Sequence, residues 1–303
     1  MSIRIAGALA IGLSLASSIA AAAERKLDKT FDVAPGGKLT VDADGTDIIV
    51  TGTDAHKVAV EIFAKGSRRR VEGMTLSAEQ TSEGVAVIAK DRPGSWLDWV
   101  RIGWNDETSW VKVQVPRRYN VELRTSGGDM TVTQLEGAAR GKTSGGDIHI
   151  ESVRGNVEMG TSGGDVEAKD VDGQLQVHTS GGEVVAINVR GDAELETSGG
   201  DIRAEKIDGA VRAKTSGGDV DVELVGANRG IAASSSGGDI VLHLPKNITA
   251  AVDAATSGGS VSSDLPVTAT RVGESKLNGT INGGGETIRV RTSGGDIKLR
   301  TRD

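Results

Sequence analysis

The apolar residues of this chain recur in pairs spaced two apart. Between Thr143 and Gly160 they stand at Ile148 and Ile150, at Val153, and at Val157 and Met159. The following stretch repeats the arrangement with Val166 and Ala168, Val171, then Leu175 and Val177. The next has Val184 and Ala186, Val189, then Ala193 and Leu195. A spacing of two is the strand period, so each cycle predicts two short strands. Polar residues fill the alternate positions, as on a sheet with one buried face. A glycine follows the middle apolar residue at Gly137, Gly155, Gly173, Gly191 and Gly209. A second turn is carried by Thr-Ser-Gly-Gly, and at both turns glycine permits the positive φ that tight corners need.

The Thr-Ser-Gly-Gly turns begin at Thr125, Thr143, Thr161, Thr179, Thr197 and Thr215, each 18 residues after the last. Ser235 opens a variant after 20, Thr256 follows after 21, and Thr292 stands 36 further on. That last gap reads as two periods with the motif lost between them. A repeat near 20 residues is the mark of a solenoid, in which each unit buries its apolar face only against its neighbours. With two strands per repeat, the expected fold is an all-β parallel β-solenoid of 18-residue coils, rising about 4.8 Å per coil.

Two columns follow from the spacing. The Thr of each turn shares the inward parity of the apolar pair before it, as Thr197 does after Leu195. It is expected to form a hydroxyl ladder bonded to its neighbour or to the turn backbone. Glu136, Arg154, Asp172, Arg190 and Asp208 alternate in sign from coil to coil. This column reads as register specification, because a one-coil slip would set like charges together.

Residues 24–124 are less regular. Strand-like alternation runs through 38–41, 48–50, 58–62, 85–88 and 111–115, and Asp44-Gly45-Thr46-Asp47-Ile48 looks like a degenerate corner. Irregular β coils or a small β sandwich are expected here, capping the open end of the stack. The division is 1–23, 24–124 as cap, and 125–303 as solenoid.

Composition changes the picture in four places. Gly is 43 of 303 residues, about twice ordinary usage, without a three-residue period. There is no Cys, which removes disulfides, thiolate metal clusters and a cysteine nucleophile. The net charge of −7 argues against nucleic acid as a partner. The N-terminus has a positive Met1–Arg4, an apolar 5–16 and a small-residue 17–23 ending Ala21-Ala22-Ala23, the layout of a cleaved export signal. Cleavage after Ala23 would take the formal charge to −8 by removing Arg4. The apolar run is shorter than the ~20 residues of a membrane span. A periplasmic or extracellular, cell-surface protein with no membrane span in the mature chain is expected.

The Thr-Ser-Gly-Gly-Asp-Ile repeats, Pro35-Gly36 before the first strand, and 277–285 (LNGTINGGG) followed by 292–297 (TSGGDI) are similar to the bacterial "putative adhesin" family of unknown function with β-strand repeats. The resemblance covers about residues 30–301. It implies a right-handed parallel β-helix that is exported, and it brings no catalytic residues.

Chemistry candidates were weighed on their spacing. Asp129, Asp147, Asp165, Glu183, Asp201, Asp219 and Asp239 form an acid column one coil apart. Each is expected to accept hydrogen bonds from turn N–H groups. The calcium β-roll has the same coil length but needs a second Gly-x-Asp that this repeat lacks, so no metal is expected. Paired carboxylates suit glycoside hydrolysis, but no coil is singled out. Gly160-Thr-Ser162-Gly-Gly164 matches G-x-S-x-G without a strand-turn-helix context. His56, His149, His178 and His243 show no metal spacing and are expected at the surface. No phosphate loop or dinucleotide fingerprint occurs, and no cofactor is expected.

The candidate partner surface therefore lies in the cap. Trp96, Trp99, Trp104 and Trp110 fall within 15 residues of a chain otherwise poor in aromatics. They offer either packing over the solenoid end or an aromatic surface for a glycan or protein. Trp110 is expected to pack in the cap, and Trp96 and Trp99 to be partly exposed. Arg68, Arg69 and Arg70 close a basic stretch, read as a solvated loop open to anionic glycan. The expected function is a non-enzymatic adhesin or cell-envelope structural or binding protein. The alternative is a polysaccharide-acting β-helix enzyme.

Overall fold

The computed structural model describes residues 23–92 and 108–302. Apart from one six-residue helix its regular structure is all strand, and the strands form two long sheets of thirteen and fourteen strands. Through the centre the pairing is parallel. Ile148–Arg154 lies between Met130–Glu136 and Val166–Asp172 in one sheet, with Ile148 opposite Val166. Val157–Gly160 lies between Ala139–Lys142 and Leu175–His178 in the other. The chain thus crosses from sheet to sheet and back in each repeat, a β-solenoid arrangement. Alternation decides which side chains face the space between the sheets. Ile150, Val153, Leu175, Leu195 and Ile202 are among those fully enclosed there. Each such side chain contributes roughly 1.5–3 kcal/mol by leaving water.

The glycines differ from expectation in one of the two turns. The second glycine of each Thr-Ser-Gly-Gly turn has no positive φ. A Cβ at Gly146, Gly164, Gly182, Gly200 or Gly218 would instead lie 2.1–2.2 Å from the carbonyl oxygen of the equivalent glycine one coil earlier. The other column is as close, with 2.0–2.4 Å at Gly155, Gly173, Gly191 and Gly209, and there Gly155, Gly173 and Gly191 also hold the expected positive φ, at 144–150°. Glycine is required because adjacent coils touch backbone to backbone. The left-handed conformation falls to other residues: Gln134, Ser152, Asp170, Asn188 and Lys206 have φ of 54–59°. Each sits mid-strand where the pairing of the thirteen-stranded sheet skips a residue, between Glu151 and Val153 for example.

At the N-terminal end, Lys38–Ala43 and Asp47–Thr53 stack directly on Asn120–Arg124 and Met130–Glu136. The corner read as degenerate is a working one. Thr125 Oγ1 donates to Thr46 O at 3.0 Å, and Asp129 N–H donates to Asp47 Oδ1 at 3.0 Å. The residues between leave the stack and extend both sheets outward rather than forming a separate sandwich. Thr108–Pro116, Lys57–Gly66 and Ala23–Asp32 continue one sheet. Gly84–Lys90 and Thr75–Gln80 continue the other. Between the two edge strands, Arg25 donates to the carbonyls of Val71 and Met74, and Lys29 to that of Ala78. Inward-turned charges of this kind blunt an open sheet end. Where the chain returns, the buried ring of Tyr119 occupies room left by two glycines. A Cβ on Gly37 would come within 2.6 Å of its Cε2, and one on Gly84 within 2.4 Å of its hydroxyl.

The C-terminal end corrects the reading of a lost motif. Ile231–Ser234 and Ile240–Leu244 do not pair with the segment that follows them in sequence. They pair with Thr287–Thr292 and Ile297–Thr301, the last strands of the chain. Ala250–Thr256 and Val261–Ser263 stack outside those. The 35 residues between Thr256 and Thr292 hold no hidden coil. They contain an antiparallel hairpin, Val267–Gly273 with Lys276–Ile281, that covers the outer edge of one sheet. The chain overshoots by one coil, caps it, and returns to fill the gap.

Candidate functional site

The corner columns are the most repeated chemistry in the chain. Thr161 Oγ1 donates to Gly146 O at 2.9 Å and accepts from Gly164 N–H at 3.3 Å. Thr143, Thr179, Thr197 and Thr215 donate to the matching carbonyl of the coil before. The ladder therefore runs through turn backbone, not from Thr to Thr. Thr161, Thr179, Thr197 and Thr215 also accept the N–H of the glycine three residues on, so each of these buried hydroxyls is satisfied as donor and acceptor.

The acids do the same work at the surface. Asp147 N–H donates to Asp129 Oδ1, Asp165 N–H to Asp147 Oδ1 and Glu183 N–H to Asp165 Oδ1, each at 2.8 Å. Glu183, one methylene longer, passes no such bond to Asp201, and the ladder resumes at Asp219. At its far end the Asp296 N–H holds the Asp239 carboxyl below its ordinary range, helped by Lys298. Among the described residues, no group of three His, Asp or Glu side chains is placed to hold a metal ion.

Beside the column, His149 Nδ1 lies 2.9 Å from Glu167, which also meets Lys169 Nζ at 2.5 Å. Lys169 first, then His149, pulls the Glu167 carboxyl below its usual range. His149 and His243 are half-buried beside acids, and His56 and His178 are exposed. Ser162 lies in a corner between the strands Val157–Gly160 and Val166–Asp172. A strand-turn-strand setting does not raise a nucleophile as the G-x-S-x-G elbow does.

The basic stretch is not a loop. Arg68–Gly73 forms a short helix, in which Arg68 pairs with Glu72 at 3.7 Å. Arg70 Nε donates to both carboxyl oxygens of Asp91 at 3.1 and 3.2 Å, with its side chain only 20% exposed. Buried Val71 anchors this turn to the cap, and Arg25 seals its C-terminal carbonyls, so the segment helps close the stack. Arg69 lies on the same helix.

Trp96, Trp99 and Trp104 lie outside the described residues. Trp110 belongs to a cap strand, but on the outer face, because Val111, Val113 and Val115 take the inward positions. Its ring stacks on Phe63 with centroids 5.5 Å apart, and Lys112 Nζ stands 4.2 Å from the ring centre. Phe63 and Trp110 are register partners on neighbouring antiparallel strands. Lys26, bridging Glu61 at 2.8 Å and Asp28 at 3.4 Å, continues the same face. A shallow groove of about 440 Å³ runs beside it over Thr30, Thr51 and Gln114. The aromatic-cation cluster was half legible: the Trp was visible in sequence, but its outward face and its Phe63 partner needed the strand register.

No helix among the described residues is long and apolar enough to cross a membrane. No curated protein matches the chain. Among solved structures, it is similar to a "putative adhesin" from Parabacteroides merdae at 9% identity, covering 91% of this chain and 96% of that one with a TM-score of 0.43. A "putative adhesin" from Bacteroides fragilis gives 14% identity, 91% and 97% coverage and a TM-score of 0.33. A "putative lipid binding protein" from Parabacteroides distasonis gives 13%, 90% and 96%, and 0.32. The family comparison reaches further into the sequence itself, matching residues 37–300 and so spanning both ends of the stack as well as its repeats, and by it the chain belongs to the Toastrack DUF4097 family.

Proposed function

We propose that this protein is an exported, non-enzymatic binding protein of the cell envelope, of adhesin type, whose working parts are the outer faces of its two sheets. In this reading the solenoid is a right-handed parallel β-helix of 18-residue coils, the hand that parallel crossovers take almost without exception. One observation carries the proposal. The residues that could do repeated chemistry, the Thr and Asp columns, are spent on joining one coil to the next. What remains for a partner is surface: flat, polar, and aromatic at Trp110 and Phe63. Sugar rings and protein side chains both dock on such aromatic platforms flanked by charge. The partner is a glycan or an envelope protein.

The test is a glycan array read with the protein and with Trp110→Ala, alongside an assay for new reducing ends on the glycans retained. Binding without cleavage, weakened at least tenfold by Trp110→Ala while the melting temperature shifts by only a few degrees, is the expected result. Release of reducing ends at catalytic turnover would replace the proposal with the polysaccharide-acting enzyme.

A further inference from the structure

The alternating charge column carries an arrangement that a role within one chain does not explain. Along one side of the stack stand Glu136, Arg154, Asp172, Arg190 and Asp208, and Arg229 reaches the last of them at 3.4 Å. The order is minus, plus, minus, plus, minus, plus. The ends are paired within the chain: Glu136 meets Arg154 Nη1 at 3.4 Å and Arg118 Nε at 3.5 Å, and Arg229 is held by Asp208. The centre is not. Asp172 and Arg190 are register partners on adjacent strands, yet among the described residues neither makes an ion pair. Both are exposed. A groove of about 320 Å³ runs along the column, walled on its other side by the left-handed residues Ser152, Asp170 and Asn188.

A twofold interface must be self-complementary, because residue i of one copy meets j of the other and j meets i. Place a twofold axis between Asp172 and Arg190, perpendicular to the stack. Glu136 of one copy then faces Arg229 of the other, Arg154 faces Asp208, and Asp172 faces Arg190. All six positions meet opposite charge, each meeting occurring twice, and Arg118, one coil before Glu136, falls outside the six. The unpaired residues fall at the centre, where an interface excludes water best. Ile187 is half-buried on the outer face of Val184–Arg190, the strand that ends in Arg190. It supplies apolar surface where interfaces concentrate it.

We propose that two copies of this chain associate antiparallel along the charge column, centred on Asp172 and Arg190. The column spans about five coil steps of ~4.8 Å, so the contact is narrow. Narrow, charged contacts give weak, salt-sensitive association, which becomes effective when molecules are concentrated at a surface. This proposal does not depend on the glycan or envelope partner proposed above.

Charge reversal separates this role from an intrachain one. Asp172→Arg or Arg190→Asp alone sets like charges against each other across the axis. The double reversal restores every contact between copies, while inside each chain it places like charges side by side at 154/172 and at 190/208. Sedimentation velocity from about 5 to about 200 μM should show the wild-type protein dimerising at about 50 mM salt, with association at least tenfold weaker at about 0.5 M. Each single variant should weaken association at least tenfold. The double variant should return to within about threefold of wild type, with a melting temperature no higher than wild type. A wild-type protein that stays monomeric over this range overturns the proposal. So do single variants that associate at wild-type strength, and so does a double variant as weak as the singles, which would leave the column with intrachain register alone.

Discussion

The hydroxyl of Thr292 donates to the backbone carbonyl of Gly238 at 2.8 Å, across 54 residues of chain. The same bond joins Thr161 to Gly146 across 15. Identical local chemistry therefore serves a neighbour in sequence and a distant segment alike. Asp296 repeats the point, since its N–H donates to Asp239 Oδ1 at 2.7 Å.

Replacing a ladder Thr by the isosteric Val should cost about 1–3 kcal/mol, because the buried carbonyl and turn N–H both lose their partner. Thr179, fully buried, is the clearest position. Urea melts of Thr179→Val and Thr179→Ser should separate, with Ser retaining most of the stability.

A methyl group in the glycine column should be far worse than its size suggests. Gly182→Ala would set Cβ 2.2 Å from Gly164 O, so two coils must part. Loss of about 1–3 kcal/mol or more is expected. Gly273→Ala, which has nothing within 4 Å, should stay within about 0.5 kcal/mol of wild type. Equal melting temperatures for the two variants would remove the close-contact account of the column.

The left-handed column predicts the opposite sign. Ser152 and Lys206 hold φ of 59° and 55° without the side-chain preference of Asn or Asp. That conformation costs roughly 1–2 kcal/mol for an ordinary residue. Glycine removes the strain but loses more entropy on folding. Ser152→Gly and Lys206→Gly should each be net stabilising by about 0.5 kcal/mol, whereas Asn188→Gly should change little. Thermal melts of the three variants check the ordering.

Tyr119 is buried, and its hydroxyl has no hydrogen-bond partner among the described residues. Burial pushes its phenol above the ordinary value. Tyr119→Phe should therefore be neutral or stabilising, by up to about 1 kcal/mol. As this is the only tyrosine, absorbance at alkaline pH should report its ionisation only as the protein unfolds.

Acid should loosen the C-terminal coils. The Asp296 N–H and Lys298 lower Asp239, while Arg291 first and Asn278 next lower Asp253. A carboxyl lowered on folding contributes stability that is fully present above its unfolded value and is lost as pH falls through the folded one. Stability should thus hold at neutral pH and decline below about pH 4. Melting temperatures of wild type and Asp253→Asn, followed from pH 7 to pH 2.5, should converge on the acid side. A constant gap between them would show that Asp253 acts through packing alone.

The repeat, the strand pairs, the inward residues and the lateral register were all legible in the sequence. With a side-chain period of two and a repeat of 18, only one register keeps Val over Val and glycine over glycine. Ile148 opposite Val166 follows from that alone. The Asp column was legible in kind, since a short carboxylate beside a turn has backbone N–H groups as its nearest donors.

Stacking order at the ends was decided only in three dimensions. Any Thr-Ser-Gly-Gly corner presents the same backbone edge, so the motif does not say whether Thr256 or Thr292 lies next to Ser235. The hairpin around Lys276 settles it by covering one edge of the outer coil and turning the chain back. The close approach of coil backbones gave the glycines of the Thr-Ser-Gly-Gly turns a steric role in place of a torsional one. The same stacking imposed a left-handed bend on residues as different as Gln134, Ser152 and Lys206, whose side chains carry no common signal. Trp110 and Arg70 belong with these. Strand parity turned Trp110 outward onto Phe63, and only folding brought Asp91 to Arg70 and made a basic run part of the closure. Local preference sets what each segment can be, whereas contacts between distant segments, which the chain's own order does not encode, set which neighbour it meets.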